Sequence, residues 1–150
     1  MLRYRATTPF YKANDLYRYD NKNVIYCAYV GTYNNEPLYK YGKSAKLFER
    51  EYKAHRNNFD TFQMQFVKIT DNKDVVEDMF EKELQIRDIH RSFVINSKKQ
   101  TELFTVNDLY DIDYVHDLLV RIIRDNPSYE VKLLRQRIRR LQQQLKTMSS

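Results

Sequence analysis

The chain has 150 residues and a mass of 18.3 kDa, and 42% of its residues are hydrophobic, which is enough to build one compact domain with an appendage. No apolar run approaches the roughly 18 residues of a membrane span, and the N-terminal residues lack the apolar centre of a secretion signal. The single cysteine, Cys27, excludes an internal disulfide and a cysteine-based metal site. These features predict a soluble intracellular protein with no membrane partner.

The net charge of +6 is distributed unevenly along the chain. Residues 61–128 carry 9 basic and 13 acidic side chains, whereas residues 129–150 carry 6 basic and 1 acidic. A basic end of this kind binds phosphates in some proteins and is only a solvated helix face in others. Charge alone therefore does not identify a partner.

Three strands are predicted in the first half of the chain. Residues 1–22 mix tyrosine, arginine and asparagine without a period and predict an N-terminal arm. The β-branched and aromatic residues of 23–31, the residues of 38–42 and the alternating pattern of 61–70 predict strands, and residues 32–37 between the first two predict a hairpin loop.

Helices are predicted after the second and third strands and again before Pro127. Ser44 can cap a helix that runs to about residue 57, and Asp71 and Asp74 offer caps for a helix over about 75–90. Residues 91–104 are mixed in composition and are predicted to be strand-like at both ends. Asp108 or Asp111 opens a further helix that reaches Arg124. Residues 23–126 are thus predicted to form one α+β domain.

A heptad pattern distinguishes residues 128–150. The apolar residues follow a 3–4 spacing: Val131, Leu134, Ile138, Leu141, Leu145 and Met148. Valine, isoleucine or leucine at position a with leucine at d favours two parallel strands, and Glu130 and Arg135 would then pair between them. A homodimer through this helix is one prediction. A helix that folds back onto its own domain, or part of a larger interface, is the other.

The segment from the first strand through the following helix carries the chemistry. Tyr26 lies in the first strand, Lys40 in the second, and Arg50 in the helix eight residues beyond Gly42. An acidic helix follows the third strand. Cleavage of a phosphodiester needs a base, a cation at the phosphate and a carboxylate that holds a divalent metal, and these residue types supply all three.

These residues and their order resemble the GIY-YIG nuclease superfamily over roughly residues 23–90. Residues 24–26 (Val-Ile-Tyr) match the first tripeptide, with valine in place of the usual glycine, and residues 40–42 (Lys-Tyr-Gly) match the second. Leu47 and Arg50 match the family's leucine and catalytic arginine. The run Tyr-Lys-Tyr-Gly-Lys-Ser over 39–44 is similar to the divergent branch of phages and large DNA viruses, as is the later segment 101–104.

The resemblance implies a small three-stranded mixed or antiparallel sheet flanked by helices, and an endonuclease that uses Mg²⁺ or Mn²⁺. Tyr26 would be the general base or a proton relay, Arg50 would stabilise the pentavalent phosphate, and Lys40 would replace the family's second tyrosine. Because side chains alternate along a strand, Tyr41 points to the opposite face from Lys40 and is expected to pack. One glutamate would hold the metal. The candidates, in order of preference, are Glu77, Glu81 and Glu83, with Glu102 more distant.

The expected partner is DNA, with RNA not excluded. The residues predicted to contact nucleic acid are Lys43, Ser44, Lys46 and His55. The alternative function is a catalytically silent nucleic-acid-binding or assembly module that oligomerises through its C-terminal helix.

Overall fold

The computed structural model describes residues 13–149, without the side chains of residues 13, 14, 56 and 57. Most of the predicted N-terminal arm, residues 1–12, lies outside this range. The strands are β1 (Val24–Tyr33), β2 (Glu36–Ser44), β3 (Gln63–Ile69), β4 (His90–Ile95) and β5 (Lys98–Thr105). The helices are α1 (Ala13–Leu16), α2 (Lys53–Asn58), α3 (Lys73–Ile86), α4 (Ile112–Asp125) and α5 (Tyr129–Met148).

The fold is α+β, as predicted, with one antiparallel sheet in the order β3-β1-β2-β5-β4. The prediction of three strands is wrong, because the sheet has five over the described residues. The two additional strands form a hairpin that turns at Asn96 and Ser97, both in the left-handed region with φ of 49° and 67°. Neither residue is a glycine, so the turn lacked its strongest sequence signal.

The β1–β2 hairpin sets which side chains share a face. It turns at Asn34 and Asn35, whose φ values of 51° and 64° are those that an Asn-Asn turn tolerates. Its register places Tyr26 opposite Gly42 and Ala28 opposite Lys40. Because side chains alternate along a strand, these four residues lie on one face of the sheet and Tyr41 lies on the other.

Helices α3 and α4 cover one face of the sheet, and the segment after β2 covers the other. On the first face Tyr41 is fully buried between Phe80 and Phe104, which confirms the prediction that it packs in the core. On the second face Tyr26 and Leu47 belong to a separate apolar cluster. Each aromatic side chain buried in this way contributes roughly 2–3 kcal/mol.

The helix predicted after Ser44 begins as a π-helical segment, Leu47–Tyr52, and continues as α2. Ser44 Oγ accepts a hydrogen bond from the Lys46 amide at 3.0 Å, and Asp20 Oδ1 accepts one from the Phe48 amide at 2.8 Å. A π-helical turn changes which side chains face the sheet relative to an α-helix. This change decides the position of Glu51 in the site.

The helices α3 and α4 differ in their caps. Asp111 caps α4 as predicted, by accepting a hydrogen bond from the Tyr114 amide. The N-cap of α3 is Asn72 rather than Asp71 or Asp74. Those two aspartates are engaged elsewhere: Asp71 accepts hydrogen bonds from Ser128, and Asp74 pairs with Lys43.

The C-terminal helix predicted over 128–150 is present as α5 and is capped by the Ser128 side chain. All of its residues are exposed except Val131, which is half-buried. The apolar side chains of α5 therefore do not pack against the described part of the domain, so the folded-back alternative is wrong. The coiled coil stays a prediction. Within residues 13–149, α5 and the other helices are each too short or too polar to traverse a lipid bilayer.

Candidate active site at the free edge of β2

The candidate site lies where β5 separates from β2. The two strands pair only over residues 38–40 of β2 and 103–105 of β5. Beyond this point the end of β2 is left beside the first turns of α3. Four charged side chains meet at this edge: Lys40, Lys43, Glu77 and Glu102.

Lys40 is a buried ammonium group that is already paired. Its side chain is only 6% exposed, and Nζ donates a hydrogen bond to Glu102 Oε2 at 3.2 Å. Pairing is what allows a lysine to be buried in its charged form. Lys43, in contrast, is partly exposed; its Nζ lies 2.9 Å from Asp74 Oδ1 and 3.9 Å from Glu77 Oε1.

Glu77 has an unusual environment for a carboxylate. Its side chain is 15% exposed, and its Oε2 is buried without a hydrogen-bond partner among the described residues. Burial and the negative charge of Glu102 raise its pKa from about 4.5 to about 7, although Lys43 and Lys40 act in the opposite direction. Near neutral pH this group is therefore ready to exchange a proton or to accept a cation.

Tyr26 lies on the neighbouring strand and packs directly against Gly42. A Cβ atom at position 42 would lie 2.7 Å from the Tyr26 hydroxyl oxygen, closer than real contacts allow. The glycine of the second motif is thus required by the phenol of the first. The hydroxyl of Tyr26 donates a hydrogen bond to Glu51 Oε2 at 3.1 Å.

The Tyr26 hydroxyl stays protonated in the folded protein. Burial and the charge of Glu51 raise its pKa well above the usual 10. A phenolate acting as a standing base is disfavoured by this environment. Of the two roles predicted for Tyr26, the geometry fits the proton relay better.

Glu51 and His55 complete a short hydrogen-bonded chain behind Tyr26. His55 Nε2 lies 2.8 Å from Glu51 Oε2, the same oxygen that accepts from Tyr26. Burial raises the pKa of the Glu51 carboxyl, but the contacts with His55 and Tyr26 outweigh it and leave the pKa below its usual value. The His55 ring stacks on Phe62 at 5.7 Å between centroids, and its Nδ1 is buried without a hydrogen-bond partner among the described residues.

The two groups of side chains lie in one electrostatic neighbourhood. The charges of Glu102 and Glu77 contribute to the raised pKa of Tyr26. The charge of Lys40 lowers the pKa of both Glu51 and Glu77 relative to burial alone. Tyr26 is thus within electrostatic reach of Glu77, and Glu51 and Glu77 are both within reach of Lys40. The roles predicted for these residues stay predictions.

Arg50 lies in the π-helical segment Leu47–Tyr52, one residue before Glu51. Its side chain is exposed, and it has neither an ion pair nor a hydrogen bond with the described part of the chain. Its neighbour Glu51 is the residue that turns towards β1. The guanidinium is therefore available to an exogenous anion.

The remaining predicted residues are placed away from Glu77 or are otherwise engaged. Glu81 lies 3.6 Å from His90, and Glu83 pairs with Arg87. Ser44 is buried, and the Lys46 ammonium hydrogen-bonds to Asn21. Among the three candidate metal ligands, Glu77 is the one with a buried oxygen that lacks a hydrogen-bond partner within the described residues, and its role as the metal ligand stays a prediction.

Sequence reasoning missed Glu51 altogether and gave Glu102 too little weight. Glu51 and His55 are four residues apart, a spacing that pairs side chains on a helix, and this was a readable signal. Glu102 depended on where β5 leaves β2, which no local pattern encodes. His55, predicted to contact nucleic acid, is instead half-buried behind Glu51.

A single-glutamate metal site fits these residues. No cluster of three or more histidine, cysteine or acidic side chains that could hold a metal exists within the described range. Mg²⁺ and Mn²⁺, however, accept one or two protein carboxylates and complete their coordination with water and substrate oxygens. Glu77 Oε2, which lacks a hydrogen-bond partner within residues 13–149 as described, is an oxygen donor of the right kind.

Comparison of the chain with known proteins identified no similar protein. No family model, curated protein or solved structure matches the chain. The resemblance to the GIY-YIG nucleases therefore depends on the motif residues and their arrangement in the fold.

Proposed function

We propose that the chain is a metal-dependent, phosphodiester-cleaving endonuclease domain of the GIY-YIG type, acting on DNA and associated with a virus or mobile element. The observation that carries the proposal is the buried Oε2 of Glu77, which has no hydrogen-bond partner among the described residues, while the other oxygen of this carboxylate lies 3.9 Å from Lys43 Nζ. The Glu77 carboxylate shares an electrostatic neighbourhood with the hydrogen-bonded phenol of Tyr26.

The Tyr26–Glu51–His55 chain would handle the proton of the attacking water. As the water attacks phosphorus, its proton moves to the Tyr26 oxygen while the phenolic proton moves to Glu51 Oε2 along the existing 3.1 Å hydrogen bond. The scissile P–O bond breaks, and the leaving oxygen departs with its strand and takes a proton from solvent water. The lowered pKa of Glu51 keeps its carboxylate ionised, so Oε2 carries no proton when the transfer begins. His55 holds the carboxylate in position at 2.8 Å.

Arg50 and a bound metal ion would bind and stabilise the phosphate. Arg50 is exposed and unpaired with the described residues, and a guanidinium matches two phosphate oxygens at once. A Mg²⁺ or Mn²⁺ ion at Glu77 would supply further charge stabilisation at the scissile phosphate. Lys40 holds Glu102 and so limits the negative charge around Glu77.

The direct test is cleavage of supercoiled plasmid by the purified chain with Mg²⁺, Mn²⁺ or a chelator. We expect nicking with either metal, and its loss in Arg50→Ala and in Glu77→Gln. Lys53→Ala and Asp78→Asn are matched controls, because both side chains are exposed, lie within three residues of Arg50 and Glu77 in sequence, and form ion pairs with surface residues, Glu49 and Lys82. Both controls should keep full activity.

One observation favours the second candidate, a silent nucleic-acid-binding or assembly module. Lys40 occupies the position where the family has a tyrosine, and its ammonium group forms an ion pair with Glu102. If the chain binds DNA but cleaves neither DNA nor RNA under either metal, the nuclease proposal is wrong and the binding module takes its place.

A further inference from the structure

Helix α5 exposes an apolar stripe that nothing in the described chain covers. Leu134, Ile138, Leu141 and Leu145 are each at least 53% exposed over a helix of 20 residues. Helices in water gain most of their stability by packing an apolar face. We therefore expect another apolar surface to pack against the exposed stripe.

The shape of the stripe indicates what the occupant is. The apolar residues occupy positions a and d of successive heptads and leave the other positions largely polar. A stripe of two residues per heptad is the narrow seam of a coiled coil, whereas helices that lie on a core or a lipid surface present a face of at least three. Helix α5 also lacks the tryptophan and phenylalanine that anchor helices at membranes.

We infer that the stripe is covered by α5 of a second copy of this chain, in a parallel two-stranded coiled coil. Val131 and Ile138 at position a, with Leu134 and Leu141 at position d, are the combination that selects two strands. The inference is independent of the proposed function.

The charges beside the seam select the parallel orientation. In a parallel pair, Glu130 at position g lies opposite Arg135 at position e of the partner helix, which gives two attractive pairs per dimer. In the antiparallel pair that aligns the same apolar layers, Arg137 lies opposite its own copy near the centre. Like charges at that position are repulsive.

The base of α5 is fixed to the domain, so dimerisation would set the position of both domains. Ser128 caps α5 and also hydrogen-bonds through its hydroxyl to Asp71 Oδ2 at 2.9 Å. The Asn72 amide donates to the carbonyl of Asn126 at 3.2 Å. Both contacts lie at the start of α3, the helix that carries Glu77, and a parallel pair places both domains at the same end of the coiled coil.

The first test measures the mass of the full chain by sedimentation equilibrium over a wide range of concentrations. We expect a reversible monomer–dimer equilibrium. Ile138→Asp should yield the monomer at all concentrations, since it places a charge in the seam. Gln136→Asp is the matched control, because it adds the same charge on the outer face and should leave the dimer intact.

Unfolding of the domain does not complicate this comparison. Ile138 is 53% exposed, and circular dichroism can verify that both variants keep the domain folded. A chain that is monomeric throughout, a trimer or larger species, or a dimer unaffected by Ile138→Asp would each overturn the inference. So would a monomer that binds phosphatidylserine vesicles through α5.

The second test determines orientation. Met148→Cys should cross-link rapidly under mild oxidation, because a parallel pair places the two copies of position 148 side by side. Gln143→Cys, on the outer face, should cross-link far more slowly. The native Cys27 does not interfere, since it is fully buried. Equal rates for both variants would overturn the parallel arrangement.

A charge exchange provides a separate check of the same orientation. Glu130→Arg should raise the dissociation constant of the dimer several-fold, and adding Arg135→Glu should restore it. Failure of the double variant to recover the affinity would contradict the parallel pairing.

Discussion

Replacing Glu77 by glutamine should stabilise the protein, and the gain should depend on pH in a defined way. The folded protein shifts the pKa of this carboxyl from about 4.5 to about 7, so its ionised form is disfavoured by the fold. The cost is absent below the unfolded pKa, grows as pH rises between the two values, and is complete above the folded pKa. Glutamine keeps the shape and removes the charge.

The magnitude follows from the shift. A difference of roughly 2.5 pKa units corresponds to about 3 kcal/mol at pH 8 and to under 1 kcal/mol at pH 5. For a chain of this length, 3 kcal/mol raises the melting temperature by about 6–12 °C.

The assay is urea unfolding of wild type and Glu77→Gln at pH 5, 6, 7 and 8. Asp78→Asn serves as the control, since this exposed side chain should give a small difference at every pH. A Glu77→Gln gain that is the same at pH 5 and pH 8, or a loss of stability at pH 8, would refute the reasoning. If the variant is also inactive in cleavage, the destabilising carboxylate is retained for function rather than for the fold.

Three further predictions concern strand β1 and the residues that contact it. Gly42→Ala should destabilise by about 1–3 kcal/mol, because the new Cβ meets the buried Tyr26 hydroxyl at 2.7 Å; a change within 0.5 kcal/mol in chemical unfolding would mean that the ring can move. Glu51→Gln should have the opposite effect on stability to Glu77→Gln. The lowered pKa of Glu51 stabilises the fold above the unfolded pKa, and this stabilisation is lost as pH falls through the folded pKa. The variant should therefore be less stable than wild type at pH 7, with the difference vanishing in acid, and a pH-independent difference would argue against this reasoning. Cys27 is fully buried, and burial raises the pKa of its thiol. A thiol reagent should therefore modify it only at the rate of unfolding. Rapid labelling under native conditions would contradict its buried position.

The parts of the fold that the sequence predicted are those determined by local patterns. The Asn-Asn turn, the alternation along β2 and the cap at Asp111 are all set by neighbours within a few residues. Alternation alone placed Lys40 and Tyr41 on opposite faces, and the structure has them so.

The missed parts depend on contacts between distant segments. The strand-like ends of residues 91–104 were predicted, but their place in the sheet was not: β5 joins it by pairing with β2, which connects residues more than 60 apart, and β4 pairs with β5. Glu102 reaches Lys40 only because of that pairing. Glu51 faces Tyr26 because the helix before α2 is π-helical, and a standard α-helical wheel does not include that change.

The arrangement of the site around Lys40 gives two carboxylates opposite properties. Glu51 accepts two hydrogen bonds and has a lowered pKa, whereas Glu77 has a buried oxygen without a hydrogen-bond partner among the described residues and a pKa of about 7. Sites that hold titratable groups in contrasting environments assign one to stay ionised and one to exchange a proton or bind a cation. A buried carboxylate with an unpartnered oxygen costs stability, and neither the packing of the sheet nor the adjacent helices require it. Binding a phosphate-associated cation is a reason to keep it, and this is why the stability of Glu77→Gln and its cleavage activity should move in opposite directions.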